Sequence, residues 1–133
     1  MDIWHMRGGN RLDGACFVQG SKNASLPIIA ASIISPARTE LMNVPQLRDV
    51  DAALRILRHL GCTAEQRQNE VYIDSTYLSC SAIPNSLMEE MRSSVIFMGA
   101  LLARCGEARL SLPGGCQLGR RPIDLHLSAL RQM

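Results

Sequence analysis

The sequence predicts a mixed α/β (α+β) fold built from a repeated unit of about 70 residues. Segments with helical periodicity alternate along the chain with short segments typical of strands. An apolar helix predicted at 24–34 recurs at 94–104, an offset of 70 residues. Three residues of a predicted amphipathic helix recur at an offset of 73 residues: Asp51, Leu54 and Leu57 match Asp124, Leu127 and Leu130. We therefore expect two copies of the unit, the second one incomplete.

Each element is predicted from its own residue pattern. Strand segments alternate apolar and polar residues or lie beside turn signals; those predicted are 3–7, 15–19, 39–44, 63–68, 70–74 and 108–112. Helix segments repeat apolar residues three or four positions apart; those predicted are 24–34, 48–60, 94–104 and a last helix that starts at Pro122. Pro84 and Asn85 mark a loop between the two halves.

Polar residues and glycines mark the ends of the predicted helices. Asn23 is the predicted N-cap of the first helix, and Asp49 can cap the second, because short polar side chains accept hydrogen bonds from free helical N–H groups. Gly61 and Gly106 follow the last periodic residues of two helices, where glycine commonly ends a helix.

Composition excludes several classes of protein. The chain has 133 residues, 47% of them hydrophobic and 20% charged, as in a folded protein. A net charge of +2 and 4% aromatic residues argue against nucleic-acid binding. No secretory signal or membrane-length apolar run is present, so we expect a cytoplasmic protein without a membrane partner. Five cysteines without a C-x-x-C pair and three scattered histidines predict no disulfide framework and no metal site.

The chain contains one lysine, Lys22, at the start of the first apolar helix. A helix N-terminus favours an anion, so Lys22 at this position predicts a phosphate or carboxylate site. Arg92 lies in register with Lys22 at the offset of 70 residues, and the two cations could converge on one anion. The alternatives are an ordinary turn with a solvated lysine, and an arginine that caps a helix or forms an ion pair.

The glycine-rich segment 113–121 carries Cys116, and Arg120 and Arg121 lie close by. Nearby arginines favour a thiolate and so increase cysteine reactivity. We expect Cys116 to be exposed, unlike the other four cysteines, which lie nearer apolar runs. Arg121 and Pro122 also open the last helix, a second cationic N-terminus. The alternative is a surface turn with an incidental cysteine. Other acids at helix starts, including Asp49, are assigned no chemistry.

Four motifs together resemble the UDP-N-acetylglucosamine enolpyruvyl transferase family, over residues 6–133. The motifs are Gly20-x-Lys22-Asn23-Ala24, Asn43-Val44-Pro45-x-Leu47-x-Asp49-Val50, Met91-Arg92-x-Ser94 and Leu112-Pro113-Gly114-Gly115-Cys116-x-x-Gly119-x-Arg121-Pro122-Ile123-Asp124-Leu125-His126. The resemblance implies part of an inside-out α/β barrel. Segment 1–21 would then hold strands that pair with a C-terminal domain, and 22–133 would form an incomplete domain of two repeat units.

The resemblance also implies an activity, the transfer of the enolpyruvyl group of phosphoenolpyruvate to the 3′-hydroxyl of UDP-N-acetylglucosamine, with release of phosphate. This is the first committed step of peptidoglycan synthesis, and no cofactor or metal is expected. The family's loop cysteine is matched by Cys116, which would act as general acid, form a covalent adduct and react with the epoxide antibiotic fosfomycin.

The remaining site residues also follow from the resemblance. Lys22 matches the lysine that binds phosphoenolpyruvate, and Asn23 lies beside it at the sugar-nucleotide site. Arg92 and Arg121 match arginines that bind anionic substrate groups. The UDP moiety would be held by the stretch that continues from Arg121 through Pro122, Ile123, Asp124 and Leu125.

Two alternatives remain beside this assignment. The chain could be a non-catalytic remnant, or a module that binds UDP-sugars or anions. The related shikimate-phosphate enolpyruvyl transferases match the motif around Cys116 poorly. We expect the isolated 133 residues to be inactive, since the rest of the family's chain supplies further substrate-binding residues.

Overall fold

The computed structural model describes residues 3–91, 93–111 and 122–132. In chain order the elements are α1 (Lys22–Ala31), β1 (Arg38–Leu41), α2 (Arg48–His59), β2 (Thr63–Arg67), β3 (Glu70–Asp74), β4 (Ala82–Ile83), α3 (Asn85–Glu90), α4 (Phe97–Cys105), β5 (Arg109–Leu110) and α5 (Asp124–Gln132). A 3₁₀ turn, Ser94–Ile96, precedes α4. Helices and strands alternate as the sequence predicts. None of the described helices has both the length and the apolar character needed to cross a bilayer.

The helix α2 provides the centre of the apolar core. Its apolar residues recur on one face, and that face packs against α1, β2 and α3. The buried residues of α2 are Val50, Ala52, Ala53, Leu54, Ile56 and Leu57. The helix ends where Gly61 adopts a φ of +98°, a left-handed conformation that favours glycine, as predicted.

A three-stranded antiparallel sheet in the order β1-β3-β2 covers one side of the core. Val71 and Ile73 on the central strand are buried, while the alternate residues, such as Tyr72, are only half-buried. This is the predicted one-sided alternation, and the hairpin between β2 and β3 lies at the predicted position. A second, two-stranded sheet pairs β4 with β5 in parallel.

Ser75 joins the end of the sheet to the turn that follows α1. Its side chain is fully buried, and its Oγ lies 2.8 Å from the carbonyl oxygen of Ser32 and 3.1 Å from that of Ala37. The backbone N–H of Ser75 also donates to the Ala37 carbonyl, at 2.9 Å. These contacts hold the exit of α1 against the start of β1.

No strand forms in residues 3–20 of this structure, in contrast to the strands predicted at 3–7 and 15–19, whose pairing with a C-terminal domain stays a prediction. Their large apolar side chains are exposed, including Trp4 at 85% and Phe17 fully. A strand forms only where a second strand satisfies its backbone hydrogen bonds. Alternation of residue types cannot reveal whether such a partner is present.

Several element boundaries also differ from the predictions. The strand predicted at 39–44 ends at Leu41, because Asn43 adopts a left-handed φ of +57°. The helix predicted at 94–104 is divided into a 3₁₀ turn and α4. The loop predicted around Pro84 contains β4 and α3, which are two and six residues long. Elements this short give no measurable periodicity.

We predict that Ser75→Ala lowers the free energy of unfolding by about 1 kcal/mol, because it removes a buried hydroxyl that hydrogen-bonds to the backbone of the turn after α1. Denaturation by urea, followed by circular dichroism, measures the change. Ser86→Ala is the matched control, since Ser86 is exposed on α3 and should change stability by less than about 0.5 kcal/mol. Equal effects of the two substitutions would contradict the role of Ser75.

We also predict a loss of stability in acid that depends on Asp74. Hydrogen bonds from Thr76, together with the Arg38 guanidinium, lower the pKa of the Asp74 carboxyl to about 2. A carboxyl with a lowered folded-state pKa stabilises the fold fully above its unfolded pKa of about 4, and this contribution disappears as the pH falls towards 2. Urea midpoints measured from pH 2 to 6 should therefore fall less steeply in Asp74→Asn. Identical slopes in the two proteins would refute the prediction.

Candidate functional site

The candidate site is centred on Lys22, the first residue of α1. The chain enters the helix at Ser21, which is extended (φ −80°, ψ 124°) and serves as N-cap without a side-chain cap. Both the N–H and the Oγ of Ser25 donate to the Ser21 carbonyl, at 2.9 Å each. The N-cap is therefore two residues before the predicted one, and Asn23 lies in the first turn of the helix with an exposed side chain. The prediction of Asn23 as N-cap is wrong.

Asp49 lies opposite Lys22, in the first turn of α2. The residue before α2, Leu47, is extended, and its carbonyl accepts the first helical hydrogen bond from the Asp51 N–H at 3.1 Å. Asp49 is therefore inside the helix and does not cap it, contrary to the prediction. Its Oδ2 instead lies 2.8 Å from the Nζ of Lys22. This ion pair joins the N-termini of the two helices across 27 residues of sequence.

A close backbone approach joins Gly20, before α1, to Asn43, in the loop before α2. A Cβ atom on Gly20 would lie 1.6 Å from the Asn43 carbonyl oxygen, so only glycine fits. Asn43 is itself left-handed, a conformation that asparagine tolerates better than most residues. The next residue is held by the hairpin, because the Val44 N–H donates to the Asn69 carbonyl at 2.8 Å.

The electrostatics of these helix starts favour an anion. The first turn of α1 contains no acidic residue, and neither N-cap makes a side-chain hydrogen bond. Each helix therefore presents unpaired N–H groups and a partial positive charge. Lys22 adds an ammonium that is 44% exposed, and Arg48, the first residue of α2, adds an exposed guanidinium. Asp49 and Asp51, in contrast, add negative charge to the first turn of α2. The N–H groups and the cations can bind a phosphate or carboxylate, but none of them is a nucleophile or a proton donor of moderate pKa.

The cavity next to Gly20 is distinct from this cationic surface. It has a volume of about 540 Å³, and its lining includes Gln19, Asn43, Gln46 and Asn69 but no charged residue. Lys22 does not line it. Because the lining of this cavity has no cationic side chain and Lys22 lies outside it, we place the anion site at the helix starts.

The other predicted site residues fall into two groups. Arg92, Cys116 and Arg121 lie outside the residues that the structure describes. Pro122, Ile123, Asp124 and Leu125 lie at the start of α5, where only Ile123 is partly covered. The described residues include no side-chain hydrogen bond or ion pair that joins this segment to Lys22.

The predicted difference in exposure between Cys116 and the other cysteines is partly wrong. Cys16 and Cys105 are exposed, and Cys80 is partly exposed. Cys105 is the last residue of α4, where an apolar sequence neighbourhood continues to the surface. Cys62 alone is buried among these four, and its burial raises the pKa of the thiol. Proximity to an apolar run therefore predicts burial only where the residue is on the inner face of its element.

Sequence reasoning missed Asp49, which the sequence presents only as an acid that complements the helix dipole. Two signals could have found it. Asp49 is part of one of the four motifs, and a helix start that holds an acid is a natural partner for the chain's one lysine. Neither signal brings residues 22 and 49 together without the tertiary fold.

Known proteins resemble this chain in both sequence and fold. The family model described as EPSP synthase (3-phosphoshikimate 1-carboxyvinyltransferase) matches residues 6–133. UDP-N-acetylglucosamine 1-carboxyvinyltransferases from Geotalea uraniireducens and Wigglesworthia glossinidia brevipalpis are 47% and 45% identical over all 133 residues. The chain spans about a third (32%) of the length of these relatives.

A solved structure of an enolpyruvyl transferase also has a fold similar to that of this chain. The enolpyruvyl transferase NikO from Streptomyces tendae matches with a TM-score of 0.76 and 25% identity, over 93% of this chain and 27% of NikO. The predicted fold class, part of an enolpyruvyl transferase domain, is confirmed.

We predict that Gly20→Ala lowers the free energy of unfolding by about 1–3 kcal/mol, because the new methyl group displaces the Asn43 carbonyl. Thermal or urea denaturation measures this change. Gly99→Ala is the control: Gly99 is an exposed helical residue, and a methyl group there would meet no atom within 4 Å, so alanine should stabilise by about 0.5–1 kcal/mol. A neutral Gly20→Ala would show that the close approach is not required.

Proposed function

The chain belongs to the EPSP synthase family, and from that premise we propose that it forms part of a UDP-N-acetylglucosamine enolpyruvyl transferase. The enzyme would transfer the enolpyruvyl group of phosphoenolpyruvate to the 3′-hydroxyl of UDP-N-acetylglucosamine in the cytoplasm, for peptidoglycan synthesis. The proposal is supported above all by the UDP-N-acetylglucosamine 1-carboxyvinyltransferases, which are 39–47% identical to this chain over 130 or more residues.

The helix starts of α1 and α2 suit the more anionic of the two substrates. Phosphoenolpyruvate carries a phosphate and a carboxylate, and both are recognised by ammonium groups, guanidinium groups and free helical N–H groups. In this proposal Lys22 binds phosphoenolpyruvate and Asn23 contacts the sugar nucleotide. The exposure of both side chains leaves them accessible to a ligand from solvent.

The bond-forming chemistry is assigned to residues outside the described structure. The substrate hydroxyl gives its proton to a base of the longer protein as its oxygen adds to C2 of phosphoenolpyruvate, and C3 gains a proton from an acid; loss of a proton from C3 and of phosphate from C2 then restores the double bond. We propose Cys116 as the proton donor to C3 and as the target of fosfomycin. Arg92 and Arg121 would bind anionic groups, since fixed cations stabilise charge that develops in the reaction.

The start of α5 is proposed to hold the UDP moiety. Pro122, Asp124 and Leu125 are exposed, which leaves this segment free to contact a nucleotide. The exposed apolar side chains of residues 3–18 are proposed to contact the remainder of the longer protein. The 133 residues alone are expected to show weak or no transfer, since they span only a third of the relatives' length.

The proposed activity can be tested by fusing this chain to the other two thirds of the Geotalea uraniireducens relative. We expect the fusion to release phosphate only when phosphoenolpyruvate and UDP-N-acetylglucosamine are both present. Cys116→Ser should lower the rate by about 100-fold or more if the thiol is the general acid. Activity with shikimate 3-phosphate as acceptor, or no activity with either acceptor, would contradict the proposal.

Labelling by fosfomycin tests the assignment of the thiol separately. Because Cys16 and Cys105 are exposed, the experiment starts from a fusion in which both are replaced by serine. Mass spectrometry should then find the label on Cys116 and not on Cys62, whose burial raises the pKa of its thiol. Labelling that survives Cys116→Ser within this chain would refute the assignment.

A further inference from the structure

Lys22 and Asp49 form an ion pair that the stability of the fold does not require. Their side chains are 44% and 32% exposed, and pairs this accessible to water contribute little to folding. The helices α1 and α2 contact each other, and both bury apolar residues in the core, among them Leu26, Ile29 and Leu54. The ion pair therefore needs an explanation other than helix packing.

The ion pair does restrict the position of the ammonium group. A lysine side chain has four rotatable carbon–carbon bonds, and holding it in one conformation is entropically unfavourable. Lys22 also lies at the positive end of α1, where the helix dipole disfavours a cation. The carboxylate of Asp49, at 2.8 Å, offsets both effects before any ligand arrives.

The carboxylate is itself held in place. Asp49 lies within α2, whose next residue, Val50, is fully buried in the core. A carboxylate in the first turn of a helix is also stabilised by the helix dipole. Asp49 therefore has a short side chain on a packed helix, whereas the longer side chain of Lys22 has more rotatable bonds to restrict.

From this geometry we infer that Asp49 is a positioning residue that holds the Lys22 ammonium where an anionic substrate meets it. The inference rests on the proposed function, in which Lys22 binds phosphoenolpyruvate. Asp49 is not placed in contact with that substrate, because a carboxylate repels a phosphate or carboxylate. It acts on the substrate only through Lys22.

A positioning role and a purely electrostatic role of Asp49 predict opposite changes in anion binding when the carboxylate is removed. If Asp49 were only a nearby negative charge, then its removal would strengthen the binding of an anion. If Asp49 positions Lys22, then Asp49→Asn weakens binding. We expect the dissociation constant of the fusion protein for phosphoenolpyruvate, measured by calorimetry, to rise about tenfold, a change of the size expected from freeing a lysine side chain.

Asp51→Asn is the matched control. Asp51 also lies in the first turn of α2 and carries the same charge, but it pairs with Arg55, at 3.2 Å. Its replacement should change the dissociation constant less than twofold. Tighter binding in Asp49→Asn, or an equal loss in Asp51→Asn, would overturn the inference.

A double-mutant cycle separates indirect from direct action. With Lys22→Ala already present, Asp49→Asn should change the dissociation constant less than twofold, because no ammonium remains to be positioned. If Asp49→Asn still raised the dissociation constant about tenfold in the Lys22→Ala background, then Asp49 would contact the substrate itself, and the positioning role would be wrong.

A spectroscopic measurement tests the ion pair without an assay of transfer activity or substrate binding. Because Lys22 is the chain's one lysine, ¹⁵N-lysine labelling of the 133-residue chain gives a single side-chain ammonium signal. Asp49→Asn should increase the mobility of this ammonium, and Asp51→Asn should leave it unchanged. Unchanged mobility in Asp49→Asn would overturn the inference. A fusion without transfer activity would contradict only the proposed function, since the ammonium signal still decides whether Asp49 holds Lys22.

Discussion

Burial of one face of α2 is the interaction on which the rest of the described structure depends. That face contacts α1, β2 and α3, so each of these elements is placed relative to the same helix. Burying a leucine or isoleucine side chain contributes roughly 1.5–3 kcal/mol, and Leu54, Ile56 and Leu57 are almost completely buried. An exposed ion pair contributes about 0–1 kcal/mol. Apolar packing therefore contributes more to the fold than an exposed ion pair such as Lys22–Asp49 does.

The same packing brings two helix N-termini together, which creates an electrostatic problem. Each N-terminus carries about half a positive charge, and neither is capped by a side chain. Lys22 adds a further positive charge. Asp49 and Asp51, in the first turn of α2, offset this repulsion in the absence of a ligand. An arriving anion meets a surface whose cations are already in position and whose N–H groups are still unpaired.

Sequence patterns predicted the parts of this structure that local chemistry determines. The periodicity of α2, the alternation of Val71 and Ile73, and the glycine at position 61 each follow from a few neighbouring residues. The start of α1 does not follow in this way, because Ser21 and Asn23 are both good capping residues and the local sequence does not decide between them. Three other features depend on tertiary structure and could not be predicted locally. They are the absence of strands at 3–7 and 15–19, the short elements β4 and α3, and the contact between Lys22 and Asp49 across 27 residues.

The weakness of the Lys22–Asp49 pair is what makes it suitable for a binding site. A buried pair would hold the ammonium more firmly, but a ligand would then have to break a strong interaction to reach it. At 44% exposure the Lys22 side chain remains accessible to solvent. A solvated ion pair contributes only about 0–1 kcal/mol, so a ligand loses little free energy when it competes with Asp49 for the ammonium. A phosphate can therefore recruit Lys22 while the carboxylate keeps the ammonium close to its binding position.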